Sequence, residues 1–149
     1  IINFIIMGLL YKFKKEKLED GTLVSRPRIP VILHGENTAV EVAALIDSGC
    51  DITVIPEDLA RAVGLNLKGP ESTLYAFRES NKVINSKASI TFIGKQVRQN
   101  VKVQVPVLIV KSKDGYSDEE GIVLGVEGIF DKFNINFKKS KNQILFNSV

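Results

Sequence analysis

The sequence holds one cysteine (Cys50), one histidine (His34), one methionine (Met7) and no tryptophan. A single cysteine cannot form an intrachain disulfide, which excludes a disulfide-stapled secreted domain. One histidine and one cysteine fall short of the four N/S ligands of a structural zinc site, so neither a metal nor another cofactor is expected. The same scarcity argues against a Cys–His peptidase. Long apolar runs are lacking too: the apolar start, residues 1–10, is half of the roughly 20 residues that cross a bilayer. No positive stretch precedes it and no small-residue cleavage site follows, so no signal peptide is expected and the default compartment is cytoplasmic. The chain begins at Ile1; Met7 is read as the natural start, with residues 1–6 an upstream extension. Charge of one sign is also scarce. Twenty Lys and Arg against 17 Asp and Glu leave a net +3, with the lysines spread over expected turns and strand faces. Neither a nucleic-acid nor a membrane partner is expected from that balance.

What is present is a globular composition: 149 residues, 44 % hydrophobic, enough for one domain with a real core. Runs rich in Val, Ile, Thr and Phe predict strands at residues 9–14, 29–33, 40–46, 72–77, 82–92, 96–110, 122–124, 134–137 and 143–146. Glu19-Asp20-Gly21 is a turn signal, and His34-Gly35-Glu36-Asn37 joins two runs as a hairpin, with His34 read as solvated. One segment reads as a helix, residues 56–63: Pro56 at its start, Glu57 and Asp58 in the first turn, Arg61 near the end and Gly64 as cap. A single further helical turn is expected at 129–133, and a polar surface loop at 111–120. Many short strands with little helix point to an all-β barrel or sandwich.

The informative segment is Ala44-Leu45-Ile46-Asp47-Ser48-Gly49-Cys50-Asp51-Ile52-Thr53-Val54-Ile55. An acid stands directly after an apolar strand, followed by a small hydroxyl residue and glycine. A carboxyl at the end of a buried strand is costly unless hydrogen-bonded or used. The Ser48 hydroxyl can lock such a loop, and Gly49 lets backbone N–H groups approach the carboxylate. This is an arrangement for holding an acid where it can act on water. The bland reading is an ordinary Asp-Ser-Gly turn, in which Asp and Ser bond nearby backbone.

With its neighbours, the segment resembles the retropepsin-like aspartic peptidases, whose signature is Asp-Thr/Ser-Gly after two apolar residues. Here that reads Leu45-Ile46-Asp47-Ser48-Gly49, and the family's downstream apolar run, glycine and short helix are matched by Ile122-Val123-Leu124-Gly125 and Ile129-Phe130-Asp131-Lys132-Phe133. Arg26-Pro27 and the 29–33 strand resemble the family's opening, so the likeness spans about residues 26–146. It implies an all-β, single-domain closed barrel with a flap hairpin and one or two short helices, at residues 26–149, after an N-terminal extension with a first strand at 1–25. It also implies a homodimer acting on peptide or unfolded-protein substrates. The catalytic residues would be Asp47, Ser48 and Gly49. Two carboxyls must share one proton, and one motif per chain means that Asp47 meets its own symmetry mate.

By the same resemblance Leu45, Asp51 and Val123 line the substrate site, and the flap at about residues 74–83 carries Phe77, Arg78, Glu79 and Ser80 at its tip. Leu45 and Val123 are equally readable as core. Two departures stand out. The flap tip has no glycine, and Val126 stands where the family's Gly-Arg places an arginine against the acid corresponding to Asp51. The resemblance of Arg26-Pro27 to the family's opening Arg-Pro implies that Arg26 of the partner subunit is the donor to Asp51, the alternative being that Asp51 caps local backbone and Arg26 is solvated. The strand at 143–146 is expected to need a partner at the dimer interface. Cys50 reads as a small buried thiol, and Lys138-Lys139-Ser140-Lys141 as a solvated turn. Two other functions stay open: a retropepsin-fold module that grips extended peptides without cutting, and a basic β-barrel that binds nucleic acid.

Overall fold

Alternation of apolar and polar residues carries directly into strands. Val101–Val110 buries Val103, Val105, Val107 and Ile109 and turns Lys102 and Gln104 outward. The computed structural model describes residues 8–76, 79–111 and 121–149. The element order is β1 (Gly8–Tyr11), β2 (Lys14–Lys17), β3 (Leu23–Arg26), β4 (Arg28–His34), β5 (Ala39–Ile46), β6 (Thr53–Pro56), α1 (Glu57–Val63), β7 (Glu71–Ala76), β8 (Glu79–Phe92), β9 (Val101–Val110), β10 (Ile122–Leu124), β11 (Phe133–Lys138) and β12 (Gln143–Ser148). The protein is strand-rich and all-β, as the sequence predicts. Among the described residues no helix is long and apolar enough to cross a membrane.

The main sheet has the order β4-β5-β10-β6-β9-β8-β7. Because β4 also pairs with β8, the pairings run in a circuit through β4, β5, β10, β6, β9 and β8, with β7 outside it. Most neighbours are antiparallel; β5 with β10 and β6 with β9 are parallel. A second sheet, β1-β12-β11, covers one side of the core, and β2 and β3 form a separate hairpin. The two sheets are joined by aromatic packing: Phe146 of β12 sits 5.4 Å from Phe92 of β8 and 5.3 Å from both Phe133 and Tyr11, ring centroid to centroid. Tyr11 donates its hydroxyl to the Ile93 carbonyl at 3.0 Å, and burial pushes its pKa up. Residues 8–11 thus belong to the core, through Leu9 and Tyr11.

The helix follows its sequence signals. Pro56 is the N-cap, Glu57 pairs with Arg61 one turn on at 2.9 Å, and Gly64 closes the end at φ +89°, donating to the Ala60 carbonyl. The turn expected at 129–133 is present, with Phe130 N–H bound to Val126 C=O and Phe133 N–H to Ile129 C=O.

Elsewhere the fold departs from the sequence pattern. The run at 9–14 divides, because the chain leaves the β1–β12 pair after Tyr11 and re-pairs as the β2–β3 hairpin around Gly21. Glu16 on β2 anchors that hairpin, paired with Arg28 and, at 3.6 Å, with Arg26. The start of the run at 96–110 is a 3₁₀ turn, since the Gln99 side chain accepts from Gln96 N–H and Asn100 Oδ1 accepts from Gly94 N–H. Such local side-chain bonds outcompete a ladder. His34 is the last residue of β4, half-buried, its Nε2 hydrogen-bonded with Thr91 Oγ1 at 2.7 Å rather than solvated. Burial and the nearby Lys102 charge lower its pKa. The terminal strand needs no partner from another chain: β12 lies between β1 and β11 and pairs with both. The expected loop at 111–120 lies, apart from Lys111, outside the described residues.

Phe146→Ala should lower unfolding free energy by about 3–5 kcal/mol, because its ring is fully buried where the two sheets meet. Urea denaturation measures this, and a loss under about 1 kcal/mol would contradict that packing.

Candidate active site

The pleat of β5 sends Ile46 into the core and leaves Asp47, the next residue, exposed at the end of the strand. Leu45 stands opposite Val123 and Ile46 opposite Leu124 in the parallel β5–β10 pair. The Asp47 N–H continues that ladder by donating to the Leu124 carbonyl at 3.0 Å. On the other side of β5, the Ile46 N–H donates to Pro27 C=O at 2.9 Å. The backbone at the acid is therefore held on both sides, at Asp47 by the end of β10 and at Ile46 by Pro27, while the Asp47 side chain stays in solvent.

The loop then folds onto the carboxylate. Asp47 Oδ1 accepts the Gly49 N–H at 2.9 Å, and the Asp47 carbonyl accepts the Cys50 N–H at 3.2 Å. A side chain at position 49 would crowd that oxygen, with Cβ at 3.2 Å. The local lock is thus the carboxylate itself; Ser48, given that part from sequence, is exposed. The Cys50 thiol donates to Ile52 C=O at 3.0 Å. Burial, and then the Asp47 charge beside it, push the thiol pKa up.

A second chain segment braces this loop. After β10, Val126 N–H donates to Cys50 C=O and Glu127 N–H to Asp51 C=O, both at 2.9 Å. Gly125 N–H donates to the buried Thr53 Oγ1 at 3.1 Å. Residue 125 must be glycine for steric reasons: a Cβ there would lie 2.6–2.8 Å from the backbone of Ile52 and Thr53.

Asp47, Gly49, Cys50 and Asp51 open into a cleft of ≈ 550 Å³ walled by Ile52, Val54, Leu74, Tyr75, Leu108 and Val123. Its walls are apolar and its charges are carboxylates. That suits an extended peptide with apolar side chains, presented to an acid. A larger cleft of ≈ 650 Å³ lies elsewhere, lined by Lys14, Glu16, Arg28, Val42, Pro56 and Leu59 among others. The acids lining it are Glu16, which is bound to Arg28, and Asp58, which stands in the first turn of α1 rather than on a glycine loop.

Of the residues singled out from sequence, the fold brings Asp47, Gly49, Asp51 and Val123 into one cleft. Leu45 is half-buried in β5 and is not among the residues walling it. Glu79 is exposed at the start of β8, opposite Ala76 of β7, which makes these strands the expected hairpin. Phe77 and Arg78 lie outside the described residues. Asp51 is exposed, and Arg26 is tied within its own chain to Glu16. Sequence reading missed Thr53, although a threonine in an apolar strand signals a hydroxyl in need of a partner. Leu108 had no local signal; it arrives through the parallel pairing of Val54 with Leu108.

Two outcomes follow from this geometry. Gly125→Ala should cost about 1–3 kcal/mol of stability through the forced backbone shift, read by thermal or urea unfolding. Iodoacetamide should alkylate Cys50 more slowly at pH 8 than it does in the urea-unfolded chain, because a raised pKa leaves less thiolate. Equal rates in the two states would show the thiol to be unperturbed.

No family model and no curated protein matches this sequence. Among solved structures, the fold is similar to a retropepsin-like aspartic protease from Rickettsia conorii, with a TM-score of 0.54 at 17 % identity over 97 % of this chain and 96 % of that one. It is also similar to the retroviral protease-like domain of Ddi1 from Leishmania major, with a TM-score of 0.57 at 11 % identity over 84 % of this chain and 93 % of that one. At such identities the likeness is one of architecture: the chain has the fold of the retropepsin-like aspartic proteases.

Proposed function

We propose that this protein is an aspartic endopeptidase that works as a homodimer, with Asp47 of each copy forming one catalytic pair. The observation that carries this reading is the presentation of Asp47. Its backbone is held by Leu124, its carboxylate is exposed above an apolar-walled cleft, and Gly49 keeps the approach open. One chain supplies one such acid, so a two-fold arrangement that brings the two Asp47 loops together completes the pair.

In that dimer one carboxylate takes a proton from water as the water attacks the scissile carbonyl. The other, protonated, donates to the carbonyl oxygen. The substrate is an extended, partly apolar segment lying along Ile52, Val54, Leu108 and Val123, with the β7–β8 hairpin as the flap and the six-strand circuit as a closed barrel. We assign the catalytic domain to residues 26–149. Asp51 gains its cation from Arg26 of the second copy, since Val126 offers none and Arg26 is only loosely tied to Glu16 at 3.6 Å.

The test is hydrolysis of an unfolded protein or peptide library, blocked by a transition-state mimic for aspartic peptidases. Asp47→Asn should bring turnover to background with fold and dimer retained. Activity should rise more steeply than linearly with concentration near the dimer dissociation constant, and fall as alkaline pH removes the shared proton. Near-native turnover by Asp47→Asn would sink the assignment. Peptide binding without cleavage by the unmodified chain would favour a non-cutting module, and salt-sensitive nucleic-acid binding would favour the basic barrel.

A further inference from the structure

Thr53 is fully buried, and it shares the class of buried polar residues with Thr91 alone among the described residues. A buried hydroxyl is kept where it has a partner. Its partner is the N–H of Gly125, at 3.1 Å. That N–H and the carbonyl of Leu124 belong to one peptide unit, planar and trans, whose two polar groups point in opposite directions. The carbonyl end accepts the Asp47 N–H at 3.0 Å, so one amide is pinned between Asp47 and Thr53.

The other ties between these segments, Val126 N–H to Cys50 C=O and Glu127 N–H to Asp51 C=O, run from backbone to backbone. They survive side-chain substitution. The Gly125 tie depends on a single hydroxyl. Without it the amide keeps one fixed end, and an N–H is left buried with no acceptor.

We propose that Thr53 is a positioning residue for Asp47: its hydroxyl orients the Leu124–Gly125 amide, and the amide orients the backbone of the acid. The hydrogen bonds run in series, Asp47 N–H to Leu124 C=O and Gly125 N–H to Thr53 Oγ1, so each polarises the next. The inference rests on the catalytic reading of Asp47. A small displacement of that backbone moves the carboxylate relative to its mate and to substrate, and placement errors of about 1 Å cost about a hundredfold in rate.

The experiment compares Thr53→Val, which removes the acceptor at nearly constant volume, with Thr53→Ser, which keeps it. Amide hydrogen exchange should quicken at Asp47 and Gly125 by about tenfold or more in Thr53→Val, with the rest of β5 and β9 unchanged, and return toward native rates in Thr53→Ser. With peptide substrate, Thr53→Val should lose about ten- to a hundredfold in kcat with little change in KM. Its pH–rate limbs should shift, because the spacing of two coupled carboxyls sets their apparent pKa values. Native exchange at Asp47 in a folded Thr53→Val chain, or acceleration spread evenly over all amides, overturns the proposal. If the valine variant does not fold, Thr53→Cys, of similar size but a weak acceptor, carries the same comparison. Should the unmodified chain not hydrolyse peptides, the peptidase reading falls while the exchange measurement still decides the role of Thr53.

Discussion

Strands β5 and β10 run parallel and end together, and the candidate site depends on that shared end. Parallel neighbours cannot be joined by a tight turn. Residues distant in sequence must therefore meet at the point where Asp47 leaves the sheet. The meeting is close enough to exclude any side chain at Gly125, and hydrogen bonds from Asp47, Val126 and Glu127 span it. An exposed carboxylate on a free loop would sample many positions. Here the backbone beneath it is held on both sides, by Leu124 and through Ile46 by Pro27.

The same junction shows how a missing side chain is offset by main chain. Val126 brings no cation to Asp51. Yet the N–H groups of Val126 and Glu127 bond the carbonyls of Cys50 and Asp51, so the two segments stay together without an ion pair. An exposed ion pair contributes little, roughly 0–1 kcal/mol, whereas backbone bonds at a close-packed junction are costly to leave unmade. The three-residue β10 has no stability of its own. It persists because β5 and β6 flank it and because Ile122 and Leu124 are fully buried.

Behind the junction, the core ties two sheets into one body. The rings of Phe92, Phe133 and Phe146 meet where β8, β11 and β12 converge, and Tyr11 closes the group from β1. With β12 paired on both edges, its Ile144 and Phe146 are buried in this core.

Local physics alone determined much of this protein. The period-two patterns of β4, β5 and β9, the Pro56-to-Gly64 signals of α1 and the sequence around Asp47 each state their structure in neighbouring residues, because pleat, caps and turns are short-range effects. Local polar competition was harder to see, as at Gln96 and Gln99, where side chains close a turn inside a strand-like run. What only the tertiary structure decided are the contacts between segments far apart in the chain. These are β12 finding both partners at home, Leu108 joining the cleft wall beside Val54, Glu16 holding Arg28, and Thr53 meeting Gly125. No pattern in consecutive residues encodes which distant strand lies alongside. That choice follows from burying every apolar face at once while giving each buried N–H and hydroxyl a partner.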